Sequence, residues 1–390
     1  MTVASKSPNQ AAALVEMKLD FLDLKAQFAS IREEVMNAVT RVMESQQFIL
    51  GPEVKLLENE LAAKLGAKHA VGCASGTDAL ILAMLAASIG HGDEVITSPF
   101  SFIASPGSIA YVGAKPVFVD IDPVTFNINP NLLEAAITQR TRAIMPVHLF
   151  GLPADMEPVL KLAKAKNLLV IEDAAQAIGA KYDGRFVGTL GDFGCFSFFP
   201  SKNLGAAGDG GFITTNDPAM AERLQMIRVH GSKQRYFHEI LGTNSRLHAL
   251  QAAVLRVKLP YLDTWAEGRT DRAVRYRGLF EQRGFAAKVT SPVEPSQKYR
   301  HVYNQFTIRV PARDALKEHL RLAGIPSEIY YPLCLHLQKA FAYLGLEEGA
   351  CPVAEEASRE VLSLPVYPEL SDAQQDMVVD GISEFFRAAR

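Results

Sequence analysis

Leu168-Leu169-Val170-Ile171-Glu172-Asp173-Ala174-Ala175-Gln176 decides how this chain is read. Its first four residues are apolar on both faces, the mark of a strand inside a sheet that is covered on each side. The run then ends on two carboxylates. Open α/β sheets bind ligands at the carboxyl ends of their strands, so an acidic residue there is a candidate to hold a cationic ring nitrogen, a metal or a sugar hydroxyl. Asp173 can equally cap the turn that follows. No neighbouring His or Cys completes a metal set, and no metal is expected.

Outward from this run, similar short strands read over residues 69–73, 94–97, 116–120, 143–147, 195–198 and 211–215. Helical stretches read over 77–88, 103–111, 130–137, 155–165 and 218–229. The alternation predicts an α/β fold, with a mostly parallel sheet covered by helices in a large domain. Beyond Arg246 the pattern changes to a long helical stretch, 247–282, interrupted at Pro260. A strand over 304–310 and helices over 313–323 and 372–389 then predict a smaller α+β C-terminal domain. The expected division is a flexible tail over 1–12, a large domain over 13–262 and a small one over 263–390.

Composition narrows the function. Hydrophobic residues make up 48% of the 390, which excludes disorder as the main state. With 40 basic against 43 acidic residues the formal net charge is −3, so there is no basic field to hold nucleic acid or an anionic membrane. Residues 95–114 carry no charge, yet Pro99, Pro106, Gly107 and Gly113 break them as a membrane span. Glu16 interrupts the only apolar patch near the N-terminus, leaving it too short for a secretory signal. Cys73, Cys195, Cys334 and Cys351 are scattered with no C-x-x-C pair, which suggests reduced thiols and a cytoplasmic address.

Two further motifs carry chemistry. Ser75-Gly76-Thr77 follows the strand over 69–73 and opens a helix, whose unpaired N–H groups and positive dipole end suit a phosphate. Taken alone, the triplet also fits an ordinary helix cap. It is no Walker A loop, since G-x-x-x-x-G-K-[ST] is absent. Lys202, in Phe196-Ser197-Phe198-Phe199-Pro200-Ser201-Lys202, follows an apolar strand and precedes the glycine-rich turn Gly205–Gly211. A lysine in such a partly dry place can shed its proton and attack a carbonyl carbon. The glycine spacing does not make a dinucleotide fingerprint.

The order of phosphate turn, acidic strand end and lysine resembles fold-type-I pyridoxal-phosphate enzymes. Within them the chain resembles the DegT-type nucleotide-sugar aminotransferases. The residues that carry the likeness are Phe21-Leu22-Asp23-Leu24, Phe48-Ile49-Leu50-Gly51-Pro52, Ser75-Gly76-Thr77, Phe118-Val119-Asp120-Ile121-Asp122, Glu172-to-Ala177, Ser197-to-Lys202, Gly208-Asp209-Gly210-Gly211 and Gly242-Thr243-Asn244-Ser245-Arg246. The resemblance implies pyridoxal 5'-phosphate bound covalently by Lys202, with Asp173 on its ring nitrogen, Gln176 on its phenolic oxygen and Phe102 stacked on the ring. Gly76, Thr77 and Ser197 would contact the phosphate, and Asn244 would do so from a neighbouring subunit, in a homodimer with shared active sites. L-Glutamate is the implied donor and a nucleoside-diphosphate keto-sugar the acceptor. The Gly208–Gly211 turn and the run Tyr331-Pro332-Leu333-Cys334-Leu335-His336-Leu337-Gln338 resemble the members that aminate C3 of the sugar, with C4 amination the alternative. Arg246, Tyr331 and His336 are candidate substrate contacts.

Three other readings have a foothold. Cys334 lies loosely where a desulfurase carries its nucleophile. Asp120-Ile121-Asp122 mimics a glycosyltransferase metal site, though it also fits a strand end and turn before Pro123. A regulatory protein that binds the cofactor without catalysis is the third.

Overall fold

The computed structural model describes residues 19–388, so the tail expected over 1–12 lies outside the described residues. Seven strands form the main sheet: β1 (His69–Cys73), β2 (Glu94–Thr97), β3 (Lys115–Phe118), β4 (Thr141–Met145), β5 (Leu169–Asp173), β6 (Phe193–Ser197) and β7 (Gly211–Thr215). Their order is β1-β7-β6-β5-β4-β2-β3. Only β7 runs against its neighbours; the β6-β5-β4-β2-β3 ladder is parallel throughout. Adjacent residues of a strand point to opposite faces. Val170, Phe196 and Phe212 accordingly enter one core, and Ile171, Cys195 and Ile213 the other.

Helices cover both faces. Among them are α1 (Leu24–Ser45), α2 (Pro52–Leu65), α3 (Gly76–Ala86), α4 (Ala104–Tyr111), α5 (Met156–Lys166), α6 (Pro218–Ile227) and α7 (Ala249–Lys258). Pro260 acts as the sequence suggests. It has no N–H to continue the helix, so a 3₁₀ turn (Leu259–Tyr261) separates α7 from α8 (Leu262–Gln282). After α8, a second core forms between α8, α9 (Arg313–Leu322), α11 (Asp372–Ala388) and the antiparallel pair β8 (Phe306–Arg309) and β9 (Val361–Leu364). Leu19 also packs into this core.

The helix expected over 130–137 is instead two single 3₁₀ turns, Pro130–Leu132 and Glu134–Ala136. Leu133 is the sole deeply buried side chain in that stretch, and one anchor does not offset the cost of nucleating a helix. The uncharged run over 95–114 is likewise no span: it divides into the end of β2, a loop and α4. No helix among the described residues is long and apolar enough to cross a membrane.

The two carboxylates of Asp120-Ile121-Asp122 have local work. Asp120 accepts the Val353 and Ala354 N–H groups, both at 2.9 Å, and so caps α10 (Pro352–Glu360). Asp122 Oδ1 accepts the N–H groups of Val124 and Thr125. These are cap and turn geometries, and they account for the motif without a metal.

Candidate active site

The loops leaving β1, β2, β5 and β6 at their carboxyl ends converge on one cleft of about 480 Å³. Gly76, Thr77, Phe102, Asp173, Gln176, Ser197, Lys202 and Tyr331 all line it, though the sequence scatters them over more than 250 positions.

The phosphate turn sits against the end of β6. Ser75 caps α3 by accepting the Asp78 N–H at 3.0 Å, which leaves the N–H groups of Gly76 and Thr77 as the free donors of the helix start. Gly76 is there for lack of space: a Cβ would meet that of Ser197 at 2.7 Å. Gly211 opens β7 so tightly against the turn that a Cβ would come within 2.5 Å of the Ser75 carbonyl oxygen. From behind, Glu58 accepts the Gly72 N–H at 2.9 Å and the Arg228 guanidinium at 2.5 Å, while Arg228 donates to Gly72 O at 2.8 Å. This buried triad fixes the strand that ends in the turn.

The two acidic residues at the end of β5 face opposite ways. Glu172 is fully buried and accepts from His148 Nε2 at 2.9 Å and from the N–H groups of Gly188, Leu190 and Gly191. His148 Nδ1 accepts the Ala154 N–H at 3.0 Å, so the ring proton is on Nε2. Glu172 is therefore saturated by structure. Asp173 faces the cleft, with Oδ2 accepting from Ser105 Oγ at 2.7 Å and Oδ1 from the Ala175 N–H at 3.2 Å. Ser105 Oγ is in turn 3.0 Å from Ser101 Oγ. Burial lifts the Asp173 carboxyl above its ordinary range, and the Ser105 and Ala175 bonds and the nearby Lys202 charge oppose the rise.

Lys202 enters from the loop after β6, where its N–H bonds Phe199 O at 2.8 Å and the Ala206 N–H returns to Phe198 O at 2.8 Å. Burial pulls its ammonium down to about 8, with the Asp173 charge pulling the other way. An appreciable share of this amine is thus unprotonated and nucleophilic near neutral pH. Gln176 is held in one orientation: Oε1 accepts the Phe150 N–H at 2.6 Å, which turns Nε2 into the cleft, 3.2 Å from the Tyr331 hydroxyl. Phe102 and Phe100, two residues apart, separate cleanly. Phe100 is in the core, whereas Phe102 is 56% exposed at the cleft wall, with its ring 6.4 Å from that of Tyr331.

Three candidates lie outside this lining. Asn244 is exposed and Arg246 part-buried on the segment after a surface hairpin, in which Ser245 accepts the Ala74 N–H at 3.3 Å. His336, expected as a substrate contact, is buried instead, with Nε2 3.0 Å from Glu355 Oε1. Its neighbours Leu335 and Cys334 are buried too, so the loop turns this face to the core. Cys334 is no nucleophile here, because burial pushes its thiol up to about 12.

Some residues of the site, among them Ser105 behind Asp173, had no local signal. Ser101 and Ser105 are four apart in an uncharged run, a spacing that puts both on one side of a helix start, and that was the available hint. Asp209, Gln305 and Tyr330 reach the cleft from distant segments.

The set fits a flat cofactor with a phosphate at one end and a basic ring nitrogen at the other. Helix-start N–H groups and Ser197 suit the phosphate, a buried carboxylate suits a ring N–H, and an exposed aromatic wall and a depressed lysine stand between them.

Comparison with known proteins agrees. A sequence model of the DegT/DnrJ/EryC1/StrS aminotransferase family matches residues 29–383. A protein of Geobacillus stearothermophilus named pleiotropic regulatory protein is 54% identical over 95% of this chain and 99% of its own length. The UDP-N-acetyl-3-dehydro-alpha-D-glucosamine 3-aminotransferase of Acidithiobacillus ferrooxidans is 49% identical over 91% of this chain and 95% of its own. Among solved structures, DesV of S. venezuelae in complex with a ketimine intermediate superposes with a TM-score of 0.91 at 44% identity, covering 94% of this chain and 98% of that one.

Proposed function

Because the chain belongs to the DegT/DnrJ/EryC1/StrS aminotransferase family, we propose that it moves an amino group from L-glutamate to a keto-sugar carried on a nucleoside diphosphate, at C3 of the sugar. The observation that carries this reading is the meeting of Lys202 and Asp173 in one cleft beside the helix-start donors of Gly76 and Thr77. When bound, pyridoxal 5'-phosphate supplies an electrophilic carbonyl carbon and a protonated ring that withdraws electrons from it.

The residues then divide the work. Lys202 would hold the group through its carbonyl carbon, and its amine, once free, would take the proton from the donor's α-carbon and act next as an acid. Asp173 would keep the ring nitrogen protonated, Gln176 Nε2 would donate to the ring's phenolic oxygen, Phe102 would lie against the ring, and Gly76, Thr77 and Ser197 would hold the phosphate. 2-Oxoglutarate would leave with an oxygen from water in place of the donor's nitrogen, and that nitrogen would stay behind for the acceptor. In the second half Lys202 returns a proton to the former keto carbon of the sugar. Tyr331, hydrogen-bonded to Gln176 Nε2 at 3.2 Å in the same cleft, is the candidate contact for the sugar.

The name of the Acidithiobacillus ferrooxidans relative supports a 3-keto acceptor, and the 4-keto alternative differs only in which carbon is presented. A second copy of the chain is part of the proposal. Tyr236, Phe237 and Leu241 stand 78%, 64% and 97% exposed on the segment that carries Asn244 and Arg246, so a partner would cover them and receive those two residues at its own cleft.

The test uses ¹⁵N-labelled L-glutamate with a panel of 3-keto and 4-keto sugar nucleotides. The expected result is label in the 3-amino sugar nucleotide, located by NMR. Label at C4 selects the alternative, and cofactor uptake without transfer to any acceptor selects the regulatory reading.

Ser105 gives a finer prediction. Ser105→Ala removes a hydrogen bond that favours the charged form of Asp173, so that carboxyl rises further. Asp173 must be ionised to serve, and the acid limb of the kcat profile should move up by about one pH unit. Ser105→Thr should restore it. An unmoved limb would show that Ser105 only packs.

A further inference from the structure

Beside the main cleft is a second, smaller chamber of about 90 Å³. Ser201, Gln305 and Tyr330 line both, so the chamber opens toward the loop that carries Lys202. Its far wall is Arg269, from α8, with Asn304 alongside and Leu22 and Leu364 closing it.

Arg269 is unusual among the arginines of the chain. Its side chain is 3% exposed, and Nη1 donates to the carbonyl oxygens of Val366 at 2.7 Å and Tyr303 at 3.4 Å. Its Nε is buried without a partner, and among the described residues no carboxylate forms an ion pair with it. The Glu369 charge acts on it only from farther off. Asn304, 8% exposed, spends its Nδ2 on Gln305 Oε1 at 2.6 Å and leaves a buried Oδ1 unpaired. A buried cation short of an anion is costly, and so is each orphaned polar atom. The chamber therefore calls for a guest that accepts from Arg269. Water meets that demand, and so does the carboxylate of an amino acid.

The chemistry chooses between them. An enzyme that alternates two substrates in one cleft must hold the smaller one by something the larger lacks. An amino acid has a carboxylate next to its reacting carbon, whereas a sugar nucleotide carries its charge on phosphates far from its keto carbon. The chamber, about three water volumes, admits a carboxylate and excludes a nucleoside diphosphate. We infer that the chamber behind Ser201 and Tyr330 binds a carboxylate of the amino donor, with Arg269 as its cationic partner. The assignment rests on the proposed aminotransferase reading and adds the donor subsite to it.

The two half-reactions, followed separately by single-turnover absorbance of the loaded enzyme, test it. In Arg269→Lys the half driven by L-glutamate should slow by about 10- to 100-fold, mostly as a raised apparent Kd. The half driven by the amino-sugar nucleotide should change less than about threefold. Leu22→Trp, which fills the chamber and leaves Arg269 in place, should reproduce the split and guards against a folding defect in the first variant. Equal losses in both halves, or none in the glutamate half, overturn the assignment and leave water as the guest. Unmodified enzyme inert to every amino acid overturns the parent reading, and this one with it.

Discussion

Lys202→Ala should lower amine transfer by about 10⁴-fold, because one substitution removes both the attacking amine and the acid–base group of each half-reaction. The protein should still fold, since the loop around residue 202 is held by backbone bonds that the substitution spares. Purified variant should lack the visible absorbance of the loaded enzyme. The native cleft adds a pH dependence with a definite sign. The unprotonated amine is the nucleophile, and burial brings Lys202 down to about 8. Cofactor uptake by stripped enzyme should therefore accelerate as pH rises through about 8 and level off above it. Asp173 opposes this lowering, and Asp209 and the Tyr330 and Tyr331 hydroxyls are the other titratable groups lining the cleft. A rate independent of pH between 6 and 9, set as the assay range on the order of the histidine-to-lysine span, would contradict the assigned nucleophile.

Asp173→Asn should have the next largest effect. An amide holds the same shape against Ser105 and Ala175 but carries no charge to keep a ring nitrogen protonated. Loss of a preformed electrostatic partner of this kind lowers kcat by about 10²- to 10³-fold. Two side effects follow from the geometry. Lys202 loses the charge that holds its ammonium up, so its transition should fall below the native one. Cofactor should still bind, since its phosphate contacts are untouched. A variant that binds cofactor normally and turns over at the native rate would remove Asp173 from the mechanism.

The parts of this molecule that could be read from sequence are those in which local pattern and tertiary role coincide. The strands at 69–73, 94–97 and 211–215 have the bounds expected of them, because a run buried on both faces has no competing structure to adopt. Pro260 breaks its helix for a reason contained in the residue itself. Gly76 and Lys202 follow strands and Asp173 ends one; β1, β5 and β6 run the same way, with only β7 opposed, so their carboxyl ends share one edge of the sheet and the meeting in one cleft follows from topology.

Elsewhere the sequence was mute for physical reasons. The stretch over 130–137 has helix-forming composition but only Leu133 to anchor it. Leu335-His336-Leu337 reads alike whether its histidine turns to the cleft or, as here, to Glu355. Ser105 hides in an apolar run because its partner, Asp173, is 68 positions away. Arg269 sits in a charged stretch with four other arginines between 269 and 283, and only burial distinguishes it. Asn244 and Arg246 lie outside the cleft lining of the single chain, and the proposal assigns them to a second copy.

The most direct test of the whole account is chemical. Native enzyme loaded with pyridoxal 5'-phosphate is reduced with borohydride, digested and sequenced by mass spectrometry. The account predicts a single pyridoxyl-modified peptide with the added mass on Lys202, and none when L-glutamate is supplied before the reductant. Modification spread over surface lysines, or a reduced protein with no added mass at Lys202, would contradict it.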